Sequence, residues 1–389
     1  MFALLLLAAT LPVPGTASAD GVATLAADAE ARWVAFDLTP GNQIRFKMTL
    51  DGKPIVAVLD TGVSYSVLAG ESAATDRARV TKGGTATAIG GTVGIGWMPT
   101  EELMIGGLTR RGGRVAVAPL PAVATGSADA VDMLVGRDVT GAHAIDIDYA
   151  TRRFRLLPSG RMPFVGKVAP LSISTRRRIY ESAIALGGKR LAPIVVDTGD
   201  GAAVTLSAAS WRATAPHPGA TTTTISFGLA GSTTSTLTIV PTLTIGDLKT
   251  GPTELRVENA GGFSDGIGVA GRIGSGFLQR YRVLLDPAAG RMVLQPGLAS
   301  DRPPLRSTSG LLVRVEPNRL DVLHVMRGSP AADTGWKAGD RICAVDGTAI
   351  DAAYTGSPLA AWSIGTPGRI VALRLCDGTT RTLTLKHFY

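Results

Sequence analysis

Two stretches of this chain are copies of one another: Pro54-Ile55-Val56-Ala57-Val58-Leu59-Asp60-Thr61-Gly62 and Pro193-Ile194-Val195-Val196-Asp197-Thr198-Gly199. In each, a β-branched apolar run ends in Asp-Thr-Gly, the pattern of a buried strand that delivers a carboxylate to a tight turn. One Asp after a strand is ordinary turn chemistry. Two such runs suggest strands that meet across a pseudo-twofold axis, with Asp60 facing Asp197. Carboxylates about 3 Å apart cannot both ionise, so they share one proton. Identical side chains then supply both an acid and a base.

The copies extend beyond these motifs. Asp60 to Gly136 of Leu134-Val135-Gly136 spans 76 positions, and Asp197 to Gly274 of Arg272-Ile273-Gly274 spans 77. Asp148 and Asp286 each follow those glycines by 12, and Pro158 and Pro296 come ten later. Leu103-Met104-Ile105-Gly106-Gly107-Leu108 matches Leu243-Thr244-Ile245-Gly246-Asp247-Leu248. The repeat is far longer than the roughly 20–50 residues of a solenoid, so it reads as two homologous halves. In each half a hairpin leads into the Asp strand, turning at Asp51-Gly52 in the first and at Gly187-Gly188 in the second.

Asp-Thr-Gly followed by a hydrophobic-hydrophobic-Gly signature, twice in one chain, resembles the pepsin and retropepsin superfamily of aspartic proteases, over roughly residues 30 to 298. The resemblance implies a mostly β fold of two homologous retropepsin-like β-barrel lobes, residues 30–160 and 165–298. It implies Asp60 and Asp197 as catalytic residues, Thr61 and Thr198 as braces across the lobe interface, and Gly62 and Gly199 as close-approach positions that donate N–H groups. The hairpin tip Ile89-Gly90-Gly91-Thr92 takes the place of the substrate flap, with Gly228 to Ser232 as its counterpart; an ordinary surface hairpin is the other reading. The implied substrate is an extended polypeptide, and the implied chemistry needs no metal or organic cofactor.

Four departures stand out. Val63 and Asp200 occupy positions where pepsins have Ser or Thr, Arg272 stands where an apolar residue is preferred, and the hairpin tip has no Tyr. Asp200 either points at the pair and raises its pKa values, or caps the turn at Gly201. These departures motivate an alternative of another class, a catalytically inactive peptide-binding module using the same groove.

A proline-rich polar connector, residues 299–309, precedes a new unit at 310–389. Its successive pieces are Gly310-Leu311-Leu312-Val313, then Arg327-Gly328-Ser329-Pro330-Ala331-Ala332, then Gly335-Trp336-Lys337-Ala338-Gly339-Asp340-Arg341-Ile342, then Val345-Asp346-Gly347. They resemble the PDZ domains of bacterial proteases. The resemblance implies that Gly310, Leu311, Leu312 and Val313 form a loop that meets a peptide C-terminal carboxylate, although Leu312 replaces the usual second glycine; a purely structural unit is the other reading. Cys343 and Cys376, the only cysteines, both fall here. In an oxidising compartment they pair; otherwise they are two buried thiols.

The 389 residues exceed the roughly 250–300 at which one core stops growing. Residues 1–19, with an apolar run from Phe2 to Leu11 and Ala17-Ser18-Ala19 before Asp20, read as a cleaved signal peptide, so the protein is expected to be exported, periplasmic or secreted. No later apolar run reaches the length of a membrane span, and a monomer is expected. The net charge of +8 comes without interleaved aromatics, which argues against a nucleic-acid partner, and four scattered His with two Cys form no metal-ligand pattern. Gly262-Phe263-Ser264-Asp265-Gly266 matches a nucleophile-elbow spacing and Gly266 to Gly271 a dinucleotide fingerprint, but neither has its surrounding elements. Arg176-Arg177-Arg178 reads as a solvated run at a strand edge.

Overall fold

Strand Ile44–Leu50 alternates between core and surface, turns at Asp51 and Gly52, both with positive φ, and returns as Lys53–Leu59 with Arg45 opposite Val58. A second strand, Met133–Val135, lies parallel on its other side, with Leu134 beside Val58. The Asp60 strand is therefore covered on both flanks, which explains its continuous apolar run. In the computed structural model, which describes residues 21–125, 130–214 and 219–389, this pattern occurs twice. Tyr180–Leu186 turns at Gly187 and Gly188 into Lys189–Asp197, and Gly271–Gly274 joins in parallel with Ile273 beside Val196. The expected signal peptide lies outside the described residues.

Strands dominate and form three sheets. The two halves are not independent bodies. Ala144–Asp148 pairs antiparallel with Tyr281–Asp286, placing Ile145 opposite Leu285, and Arg153–Leu157, Arg291–Pro296 and Lys167–Pro170 extend the same layer. One apolar cluster runs through Leu59, Val135, Ile145, Ile194, Ile273 and Leu285, so the halves share a core. Val22–Leu25 pairs with Leu108–Arg111 and adds a strand ahead of residue 30.

Residues 311–384 build the third sheet, ordered Leu311–Glu316, Arg319–Val325, Arg341–Val345, Ile370–Leu375, Thr380–Thr384. It has its own core around Leu320, Ile342, Trp362, Val371 and Leu383. Cys343 and Cys376 are joined by a disulfide, with Cα atoms 5.0 Å apart. Ser307, Thr308 and Ser309, expected in the connector, bond instead into this unit: the Thr308 and Ser309 N–H groups donate to Ser363 O, and Ser307 Oγ accepts from Gly310 N. The unit is docked on the strand pair Thr222–Gly228 and Gly231–Val240 of the second half. Thr222 Oγ1 donates to Arg327 O at 2.8 Å, Thr223 Oγ1 lies 2.8 Å from His324 Nε2, and Leu237 packs with Met326 and Tyr389. Among the described residues no helix is long and apolar enough to cross a membrane.

The Arg run at 176–178 is not a solvated edge. Arg176 is exposed, but Arg177 donates to Glu181 Oε1 at 3.0 Å and to Ile267 O at 2.6 Å, and Arg178 lies over the Tyr65 ring and donates to its hydroxyl at 2.7 Å. Two of the three guanidiniums thus stitch the second half to its own helix and to the first half.

A buried charge also ties the halves together. Asp146, fully buried, accepts from Arg155 of the first half at 3.0 Å and from Arg282 of the second at 3.0 and 2.9 Å. Replacing it by Ala would remove the buried carboxylate that both guanidiniums share. Asp146→Ala should lower stability by about 3–5 kcal/mol, read from urea unfolding of the chain.

Candidate active site

Asp60 and Asp197 stand at the ends of their strands, and in each the following turn folds back on the carboxylate. Gly62 N donates to Asp60 Oδ1 at 3.0 Å, and Gly199 N donates to Asp197 Oδ1 at 3.0 Å. The two carboxyls face each other so closely that a Cβ on Gly62 would overlap the Asp197 carboxyl, and one on Gly199 the Asp60 carboxyl. Only glycine leaves that space.

The threonines lock the two turns reciprocally. Thr61 Oγ1 donates to Val196 O at 2.6 Å and accepts from Thr198 N at 3.0 Å; Thr198 Oγ1 donates to Leu59 O at 2.7 Å and accepts from Thr61 N at 3.1 Å. Both residues are fully buried, so each hydroxyl satisfies a donor and an acceptor that water cannot reach. Ser275 Oγ adds a bond to Thr198 O at 2.8 Å, and Gln43 Nε2 reaches across from the first half to Gly199 O at 3.2 Å.

Burial disfavours ionisation of both acids. Asp60 is pushed well above the ordinary carboxylate range by burial and then by the Asp197 charge. Asp197 is raised to about 6, by burial and by Asp200, against the pull of Arg272. Asp200 does two things: Oδ1 accepts from Ala202 N at 2.9 Å, capping the turn, and Oδ2 accepts from Arg272 Nε at 2.9 Å. Burial opposes its charge, but Arg272, the Ala202 N–H and Arg256 together outweigh burial and hold it below the usual range.

A cavity of about 520 Å³ opens over the pair. Its walls include the tips of two hairpins, Thr81–Ala88 with Gly91–Pro99 and Thr222–Gly228 with Gly231–Val240. The tips touch: Ala230 N donates to Ile89 O at 3.2 Å, and a Cβ on Gly90 would stand 2.7 Å from Gly231 O. Ile89 and Gly90 thus form half of a two-sided roof, with Gly91 and Thr92 opening the return strand. Gly310, Leu311, Leu312 and Val313 lie away from this cavity, and the N–H groups of Gly310 and Leu311 already donate to Ser307 Oγ and Ser309 Oγ.

The matching registers beside the two acids differ in kind. In the first half Val67 pairs with both Ala116 and Leu134, and all three line the cavity. The matching registers in the second half bring Thr205 beside Arg256 and Arg272. Arg272, 4% exposed, donates to Asp200, to Glu258 Oε1 at 2.7 Å and to Ser264 Oγ at 3.0 Å. Phe263 lies against its guanidinium and forms part of the cavity wall. Ser264 is thereby consumed in a structural network rather than displayed as a nucleophile. Gln43, Arg177, Glu258 and Ser275 carry no local motif, and only the fold brings them here. Among the described residues no group of three or more His, Cys, Asp or Glu converges on a metal position.

Two outcomes follow from this geometry. Thr198→Val orphans Leu59 O and Thr61 N, so it should cost about 1–3 kcal/mol per orphaned group in urea unfolding, with Thr198→Ser close to wild type. For Asp60 the folded pKa lies above the unfolded value, so the native state loses stability as pH rises from the unfolded pKa through the folded one. Asp60→Asn should therefore raise the Tm at neutral pH and change it little near pH 3, measured by calorimetry.

A family model described as aspartyl protease matches residues 46–139. No curated protein matches the chain. The matched segment contains Asp60, Thr61, Gly62 and the Ile89-Gly90-Gly91 tip, and in that segment the chain is similar to aspartyl proteases.

Proposed function

We propose that the chain is an exported aspartic endopeptidase, with two acid-protease lobes that each contribute one carboxyl and a PDZ unit at 310–389. The observation that carries this reading is the reciprocal clamp of Thr61 and Thr198, which holds two buried, facing carboxyls at the base of a roofed cavity. The leader-like sequence of residues 1–19 and the paired cysteines support an oxidising, extracytoplasmic location.

In the reaction, a water held between the acids gives a proton to the ionised carboxylate as its oxygen adds to the scissile carbonyl carbon. The protonated partner donates to the carbonyl oxygen, so a neutral tetrahedral diol forms. The carboxyl that took the water proton then passes it to the amide nitrogen while the other carboxylate removes a proton from a diol hydroxyl, so the C–N bond breaks and a carboxylic acid and an amine are released. Proton transfer of this kind contributes about 10²–10⁴-fold, and exclusion of water under the hairpins strengthens the electrostatics. The touching tips must separate for an extended peptide to enter.

The apolar wall of Val67, Ala116 and Leu134 suits a bulky apolar side chain on one side of the scissile bond, and Phe227, Leu229, Phe263 and Ile267 offer apolar surface on the other. In the PDZ unit, Leu311–Glu316 is an edge strand, and its open side suits addition of an extended segment. With the Gly310 and Leu311 amides already bonded, we assign it strand addition rather than carboxylate capture.

The test uses the mature chain with unfolded protein substrates from acid to neutral pH, with products identified by mass spectrometry. Asp60→Asn and Asp197→Asn should each abolish cleavage with the fold intact, and wild-type cuts should be enriched for large apolar residues on both sides of the scissile bond. Wild type and both variants behaving alike would leave a peptide-binding module without catalysis. Ala116→Phe should shift the preference toward smaller apolar residues.

A further inference from the structure

The two acids are related by a sequence repeat, yet their surroundings are not equivalent. Asp197 Oδ1 accepts two backbone N–H groups, from Gly199 and Asp200, each at 3.0 Å, whereas Asp60 Oδ1 accepts Gly62 N. Arg272 Nε lies 4.0 Å from Asp197 Oδ2. At the matching position of the first half the strand carries Leu134, which brings no charge.

We propose that Arg272, held in place by Asp200, Glu258 and Ser264, is a positioning residue that breaks the symmetry of the pair, fixing the negative charge on Asp197 and leaving the shared proton on Asp60. This deepens the protease reading and rests on it. Asp197 is then the base that takes the proton from water, and Asp60 the acid that donates to the carbonyl oxygen.

Other charges face the pair as well. Asp200 opposes Arg272 from the adjacent turn, and Glu258 neutralises the far side of the guanidinium. Arg256 acts on Asp200 from the neighbouring strand, and Arg177, which lines the cavity, is engaged by Glu181. The balance predicts opposite effects from two residues in direct contact. Removing the Arg272 charge disfavours the Asp197 anion, so the acid limb of the kcat/KM profile moves to higher pH. Removing the Asp200 charge favours that anion, and the limb moves lower. A purely structural cluster would give no such opposition.

The experiment compares pH profiles of wild type, Arg272→Gln, Arg272→Lys and Asp200→Asn. Arg272→Gln should raise the acid limb by about one to three pH units, roughly tenfold in kcat/KM per unit at a fixed pH on the limb. Asp200→Asn should lower the limb, and Arg272→Lys should return it toward wild type. Should Arg272→Gln fail to fold, Asp200→Asn and Arg272→Lys carry the test alone. Carboxyl carbon-13 titration of Asp-labelled protein, assigned with Asp60→Asn and Asp197→Asn, reads the same order without turnover: Asp197 should ionise at lower pH than Asp60. A limb unmoved by Asp200→Asn, or shifts in the same direction for Asp200→Asn and Arg272→Gln, or Asp60 ionising first, would overturn the proposal. A wild type without cleavage but with the expected titration order would overturn the protease reading alone.

Discussion

Two carboxylic acids pressed together out of water repel each other as soon as both ionise, and a fold that keeps them in contact must restrain them from every side. The restraints here are mostly backbone. Glycine at 62 and 199 removes the side chains that would stand where the opposite carboxyl is. The threonines between Asp and Gly then cross-link the turns, so that neither acid can withdraw without breaking buried hydrogen bonds on both sides. Burial first, and then a repulsion that movement cannot relieve, favour retaining a proton, and both raise the pKa of Asp60.

The rest of the molecule supports that contact. The shared antiparallel layer through Ile145 and Leu285 and the Asp146 charge cluster keep the halves from drifting apart. Gln43 and Arg178 add cross-half contacts close to the turns themselves. Rigidity at the base contrasts with the roof, where the hairpins meet through glycine-rich tips and few bonds. The third sheet is docked on the second hairpin rather than on the base, through Thr222, Thr223 and the Leu237 cluster. Whatever engages that sheet is mechanically closer to the roof than to the acids.

The departures from the repeat turn out to be connected. Asp200, Arg272 and Glu258 form one ionic network in the second half, at registers where the first half has small or apolar side chains. Such a network is expensive to bury unless every charge is paired, and Arg272 is met by carboxylates on two sides and a hydroxyl. One substitution therefore requires the others. Its effects are a buried ionic cluster behind Phe263 of the cavity wall and a charge beside Asp197.

Much of the site was legible in the residues themselves. An apolar run closed by Asp-Thr-Gly admits few structures, because the run needs burial on both flanks and the glycine needs close approach. Its recurrence at matched spacing with the later glycines implied the facing pair before any coordinates. The hairpin turns at Asp51-Gly52 and Gly187-Gly188 were readable for the same reason: positive φ leaves a short-range signature. What tertiary structure alone decided was non-local. Asp200 could be read as a cap or as a charge near the pair, and it is both, because Arg272 arrives from a strand 72 residues away. Arg177 and Arg178 looked like solvated charge because their partners lie in other segments. Local conformation is written in neighbouring residues, but the field at a carboxylate depends on which distant side chains the chain brings beside it, and sequence spacing carries no measure of that distance.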